Sequence, residues 1–179
     1  MITKPLTIQN LLIIKPKIFR DTRGSFFESF NSLKFQKLVM KDYPFVQDNC
    51  SISKHNVLRG LHFQTIKPQA KLIQVLYGKI FDVVVDLRYG SSTFGKWESI
   101  ILKSSNREQL WIPEGFAHGF LVLSKKAIVL YKTTQFYQPN LERCIVWNDE
   151  TLKINWPIKD HPIVSEKDRK GQKFKDFIN

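Results

Sequence analysis

The stretch KLIQVLYGKIFDVVVDL, residues 71–87, decides the fold class. Lys71 to Leu76 and Lys79 to Leu87 are short apolar, β-branched runs, and Tyr77-Gly78 breaks them as a turn would. Working outward, Val57 to Phe63, Trp97 to Leu102, Phe120 to Leu123 and Ala127 to Lys132 have the same character. Turn signals separate them: Tyr89-Gly90-Ser91-Ser92, Ser104-Ser105-Asn106, Pro113-Glu114-Gly115 and Ser124-Lys125-Lys126. Two segments predict helix. Ser32 is placed to cap one carrying Phe35, Leu38 and Val39, and Ser165-Glu166-Lys167-Asp168 reads as a capping box for a short turn. Many short strands at regular spacing with few helices predict an all-β sandwich, barrel or jelly roll.

The chain has 179 residues, 42% hydrophobic and 13% aromatic, so it can bury a full core and is not a disordered polymer. No composition shift or repeat marks a linker, and a single domain over residues 1–179 is expected. The longest apolar runs, such as Leu11 to Ile14 and Val83 to Val85, are far shorter than a membrane span. The opening MITKPLTIQNLLIIKPK lacks an apolar stretch followed by a small-residue cleavage site, so a cytoplasmic location without a membrane partner is expected. Cys50 and Cys144 lie far apart without CxxC spacing, which favours a reduced protein.

The charge balance is 28 Lys+Arg against 16 Asp+Glu, a net +12. The cations are scattered, with no block of like charge, so a small anionic ligand is favoured over nucleic acid.

The residues that suggest chemistry are polar groups inside strands that otherwise read as core. Arg59 and His62 flank Gly60-Leu61, Lys71 opens the next strand, His118 follows the Pro113-Glu114-Gly115 turn, and Tyr131 lies near the end of another strand. Taken singly, each has a plainer reading: a hydrogen-bonded core histidine, a snorkelling cation or a packed aromatic. Burying charge costs several kcal/mol, so several such groups in one small barrel suggest a ligand cavity. A metal centre is not expected, because the four histidines form no HxH-like cluster; His55 and His62 are seven residues apart.

These residues belong to a longer series of blocks. They are Asp21-Thr22-Arg23-Gly24 with Phe26 and Glu28, Gln47-Asp48-Asn49, Val57-Leu58-Arg59-Gly60-Leu61-His62-Phe63-Gln64, and Phe81 to Arg88. Thr93-Phe94-Gly95-Lys96-Trp97, Gln109 to Phe120, Tyr131-Lys132, Trp147-Asn148-Asp149 and Ser165 to Asp168 follow. In this order they resemble the dTDP-4-dehydrorhamnose 3,5-epimerase family. The resemblance implies a double-stranded β-helix, the cupin jelly-roll barrel, with a few short helices, forming a homodimer that needs no cofactor or metal. It implies epimerisation at C3 and C5 of dTDP-4-dehydro-6-deoxy-D-glucose through enolates. The alternatives are a mono-epimerase of a related keto-deoxysugar and, further off, a metal-dependent cupin enzyme.

Carried over residue by residue, His62 is the general base, Tyr131 the proton donor, Lys71 the cation near the C4 oxygen and Asp168 the partner of His62. Arg23, Glu28, Gln47, Asn49, Arg59, Glu142 and Lys167 match substrate-binding positions, and His118 lies beside the sugar site. Phe19 and Tyr137 match aromatic positions suited to stacking on thymine. Cys50 and Ser25 depart from the pattern, and Cys50 is expected to be a small buried hydrophobe.

Overall fold

A computed structural model describes residues 1–177; the last two residues of the expected domain lie outside it. The chain runs β1 (Ile2–Pro5), β2 (Leu12–Lys15), β3 (Ile18–Asp21), β4 (Gly24–Phe27), α1 (Ser32–Val39), β5 (Gln47–Lys54), β6 (Leu58–Gln64) and β7 (Lys71–Tyr77). It continues with β8 (Lys79–Asp86), β9 (Trp97–Lys103), β10 (Gln109–Ile112), β11 (Phe116–Val122), β12 (Lys126–Thr133), β13 (Glu142–Cys144) and α2 (Glu166–Arg169). A 3-10 turn spans Phe174–Phe177.

From β5 to β12 the strands fall alternately into two antiparallel sheets, apart from the hairpin β8–β9. One sheet is ordered β1-β2-β10-β7-β12-β5 and the other β13-β6-β11-β8-β9. This is the all-β jelly roll, the cupin-type double-stranded β-helix. A third, two-stranded sheet, β3–β4, pairs only with itself. No helix among the described residues is long and apolar enough to cross a membrane.

The two-residue side-chain period builds the layers. Ile73 and Val75 of β7, Ile80 and Val84 of β8, Phe116, Phe120 and Val122 of β11, and Ala127 and Val129 of β12 meet between the sheets. The opposite faces are covered separately. Val83, Val85, Ala117 and Leu121 pack under the C-terminal segment with Trp156 and Phe174. Ile14, Leu72 and Trp111 pack under α1 through Phe35.

Several local expectations need revision. The cap of α1 is Asn31, whose side-chain oxygen accepts the Lys34 N–H at 3.1 Å, so Ser32 is the first helical residue and not the cap. Ser165 does cap α2, accepting the Asp168 N–H at 3.1 Å. The strand expected at Phe120 begins at Phe116, directly after the Gly115 turn. Cys50 is exposed on the outer face of β5 and not a buried hydrophobe; both cysteines are free thiols. Strands β1–β4 carry few apolar residues in a clean alternation, which is why period counting passes over them.

One irregularity positions the site. In the β6–β11 pair, His62 lies opposite His118 and Arg59 opposite Phe120, so three steps on β6 face two on β11. This β-bulge cancels the alternation that would send Arg59 and His62 to opposite faces. Gly60 occupies it with φ +108°, and a Cβ there would sit 2.6 Å from both Gly119 Cα and His118 O. Both neighbours are backbone, so they cannot swing aside. Gly60→Ala is therefore expected to destabilise the protein by more than about 2 kcal/mol, from left-handed strain and overpacking together. Urea unfolding checks this, and an unchanged midpoint would contradict the tight β6–β11 approach.

Candidate active site

At the polar end of the barrel, a cavity of about 310 Å³ opens between the two sheets. The five-stranded sheet contributes Arg59 and His62 from β6, His118 and Phe120 from β11 and Glu142 from β13; the other sheet contributes Gln47, Asn49 and Ser51 from β5, Lys71 from β7 and Tyr131 from β12. Gln69 and Tyr137 complete the wall from loops.

His62 is oriented from behind. Its Nε2 lies 2.7 Å from Asp168 Oδ1, and the other carboxylate oxygen of Asp168 accepts the Gly60 N–H at 3.0 Å. Burial works to raise the Asp168 pKa, but the hydrogen bond and charge of His62, with the Gly60 N–H, hold it below the ordinary value. An ionised Asp168 keeps the His62 proton on Nε2 and turns the Nδ1 lone pair elsewhere. Cys144 sits beside this pair, with Sγ 4.0 Å from Asp168 Oδ1, and burial pushes its thiol up to about 12.

Lys71 is 6% exposed, and its ammonium donates to the His62 carbonyl at 3.2 Å. Burial brings its pKa down from 10.5 to about 8, against the opposing pull of Glu142 and Asp82. His118 Nε2 lies 2.9 Å from both oxygens of the fully buried Asp82, whose pKa burial raises despite the facing histidine. Burial also raises the pKa of Tyr131, with Arg59 pulling the other way. Tyr131 therefore keeps its proton through the physiological range.

At the rim, Tyr137 OH donates to Glu142 Oε2 at 2.7 Å, and Lys167 pairs with the same carboxylate. Burial works to raise Glu142, but Lys167, Tyr137 and His62 outweigh it and keep the pKa low. Gln47 joins Asn49 at 2.8 Å and accepts the Tyr137 N–H at 2.9 Å, which ties the Tyr137 loop to β5. Arg59 Nε donates to Ser53 Oγ at 3.0 Å.

Most of the residues expected from sequence thus converge: His62, Lys71, His118, Tyr131, Arg59, Gln47, Asn49, Tyr137 and Glu142 line the cavity, with Asp168 behind His62 and Lys167 at the rim. Arg23, Glu28 and Phe19 do not line it. Phe19 and Arg23 sit on the β3–β4 hairpin, where Arg23 pairs with Asp21, while Glu28 just beyond it pairs with Lys34. Phe19 is 50% exposed and packs against Phe26, itself 70% exposed. Sequence reasoning missed Asp82. Its signal was a carboxylate at an inward position, between Ile80 and Val84, of a strand that otherwise reads as core.

Lys71 also sets a stability signature. Its folded pKa of about 8 lies below the ordinary 10.5, so the unfolded chain binds more protons between those values. Stability therefore rises with pH from about 8 to about 10.5. Lys71→Met is expected to flatten that rise, read as the difference between the two proteins' urea midpoints across this range. Parallel profiles would contradict the buried position of the ammonium.

Comparison with known proteins gives one answer. The family model described as dTDP-4-dehydrorhamnose 3,5-epimerase matches residues 5–176. A protein of that name from Pseudomonas aeruginosa is 53% identical over 171 residues, covering 96% of this chain and 94% of its own. Among solved structures, a dTDP-6-deoxy-D-glucose-3,5-epimerase from Legionella pneumophila Philadelphia 1, in complex with dTDP-4-keto-L-rhamnose, superposes with TM-score 0.93. It is 46% identical over 96% of this chain and 91% of its own. ChmJ from Streptomyces bikiniensis, a 3'-monoepimerase solved with dTDP-quinovose, is more distant at 33% identity, with TM-score 0.89 and 94% and 86% coverage. With its sequence, its jelly roll and its polar cavity in agreement, the chain belongs to the dTDP-4-dehydrorhamnose 3,5-epimerase family.

Proposed function

We propose that this chain epimerises C3 and C5 of dTDP-4-dehydro-6-deoxy-D-glucose to give dTDP-4-dehydro-L-rhamnose, with His62 as base, Tyr131 as acid and Lys71 at the enolate oxygen. The observation that carries the reading is the placement of His62 and Tyr131 on facing sheets of one cavity. Inversion removes a proton from one face of a carbon and returns one to the other, so a base and an acid on opposite walls match its stereochemistry.

C3 and C5 both flank the C4 ketone, so loss of either proton gives an enolate. Imidazole has a pKa near 6.5, far below that of a ketone α-proton, and each unit of mismatch costs about 1.4 kcal/mol. The developing charge on O4 therefore needs a fixed partner. The buried Lys71 ammonium supplies it where water cannot screen the interaction. Asp168 stabilises His62 once it holds the abstracted proton, and Nδ1 is the atom left free to take it. Arg59 and Lys167 at the mouth suit the diphosphate as charge-assisted donors, and Tyr137 offers a stacking face to the base.

The reading extends to a homodimer. The hairpin that carries Phe19 and Arg23 keeps its aromatic face exposed and bonds to neither main sheet. In the proposed dimer it reaches the partner's cavity, bringing Phe19, Arg23 and Glu28 to the nucleotide.

Two experiments test these statements. In heavy water the product is expected to carry deuterium at both C3 and C5. Tyr131→Phe is expected to exchange deuterium into the sugar while inversion falls at least about a hundredfold. Release of the fully inverted product by Tyr131→Phe at the wild-type rate would sink its role. For the dimer, His62→Asn and Arg23→Glu proteins, each inactive alone, are expected to recover about a quarter of wild-type activity when refolded together, because half the dimers then hold one intact site. No recovery would place Arg23 outside the partner's site.

A further inference from the structure

We propose that His62, Cys144 and Asp168 together form a binding site for a thiophilic divalent cation, Zn²⁺ above all, whose occupation inhibits the enzyme. Strand β13 pairs with β6 so that Cys144 lies directly opposite His62. Opposed residues of antiparallel strands share a face, so thiol and imidazole project to the same side. Asp168 arrives from α2 behind them. One nitrogen, one sulfur and one carboxylate oxygen, from three separate elements, lie within 4.8 Å of one another.

The spacing approaches that of a tetrahedral ion. Zinc bonds of about 2.0–2.3 Å place neighbouring ligand atoms about 3.3–3.6 Å apart. The His62–Asp168 pair, at 2.7 Å, must open, and Cys144, 4.0 Å from Asp168 and within 4.8 Å of the His62 nitrogen, must close on both. The mixed nitrogen, sulfur and oxygen set suits zinc and other borderline-soft ions; magnesium and calcium prefer oxygen alone. The second oxygen of Asp168 keeps its bond from the Gly60 N–H, the outer support that metal-bound carboxylates usually have. The His62 side chain is 30% exposed and lines the cavity, whereas Cys144 and Asp168 are buried behind it.

Two protons move when the ion binds. The Cys144 thiol proton leaves to solvent as the sulfur–metal bond forms. The His62 proton shifts from Nε2, now on the metal, to Nδ1. The metal-bound imidazole then has no lone pair facing the sugar, and proton abstraction stops. Inhibition thus rests on the reading of His62 as base, whereas binding does not.

Cobalt(II) is the probe for binding, because a thiolate ligand gives it a sulfur-to-metal charge-transfer band. In Cys50→Ser protein, where Cys144 is the sole thiol, one equivalent of Co²⁺ is expected to produce that band, and Zn²⁺ to abolish it by competition. This reading needs no change at Cys144, so a Cys144 variant that failed to fold would not decide it. In activity assays, micromolar Zn²⁺ is expected to inhibit the Cys50→Ser enzyme reversibly, with recovery on chelation. Adding Cys144→Ser, at a residue that does not line the cavity, is expected to raise the inhibitory concentration at least about tenfold. Absence of the thiolate band, or equal inhibition with and without Cys144, would overturn the site. A full thiolate band with undiminished epimerisation would overturn the inhibition and count against His62 as the base.

Discussion

The carboxylate of Asp168 ties the C-terminal segment to strand β6 of the five-stranded sheet. One oxygen takes the Gly60 N–H inside the bulge, and the other takes His62, the next inward residue after it. The bulge leaves a backbone donor out of the strand ladder, and a buried donor without a partner costs about 1–3 kcal/mol. Asp168 meets that need and turns the imidazole with the same group. Removing the carboxylate would strand a buried N–H and release the histidine together, so stability and geometry are coupled at this one residue. The Ser165 cap, which fixes the Asp168 backbone, belongs to the same device.

How much of this was legible in the sequence follows from which forces are local. Strands β6, β7 and β8 could be read because most of both faces is covered, one by the opposite sheet and one by a loop layer or helix, and burial of that kind writes long apolar runs; β9 and β12, less buried outside, were still legible from their apolar residues. Strands β1, β3 and β4 could not, since they are four residues long and mostly exposed. The cap of α1 was misplaced by one residue because Asn31 and Ser32 are both good caps, and only the backbone angles choose between them.

The site divides in the same way. Polar residues interrupting apolar strands pointed to His62, Lys71, His118 and Tyr131, and the family resemblance added the rest. What no spacing rule supplied was the bulge, since a strict two-residue alternation puts Arg59 and His62 on opposite faces. Long-range partnerships were equally hidden. Asp82 meets His118 across 36 positions, and Asp168 meets His62 across 106. Arg23, Glu28 and Phe19 lie outside the cavity of their own chain, on or just beyond the β3–β4 hairpin, and it is only in the proposed dimer that they would meet a nucleotide.

The electrostatics of the cavity bear on why a buried lysine is kept where a neutral donor would cost less. Burial disfavours the charge on Lys71 strongly enough to bring its pKa to about 8, even with Glu142 and Asp82 pulling the other way. The free protein therefore holds a cation that its surroundings solvate poorly. A ketone oxygen improves that environment only a little, whereas an enolate oxygen carries the compensating charge. In the proposed mechanism the Lys71 interaction is thus stronger in the transition state than with bound substrate, which is the condition for an interaction to raise the rate rather than the affinity. Tyr131 obeys the complementary logic. Burial raises its pKa and keeps the phenol protonated, so in the proposed mechanism the opposite wall holds a proton ready for the carbon that His62 would strip. One desolvated cavity strains a cation toward an anionic partner and secures an acid in its neutral form, and inversion through an enolate needs both.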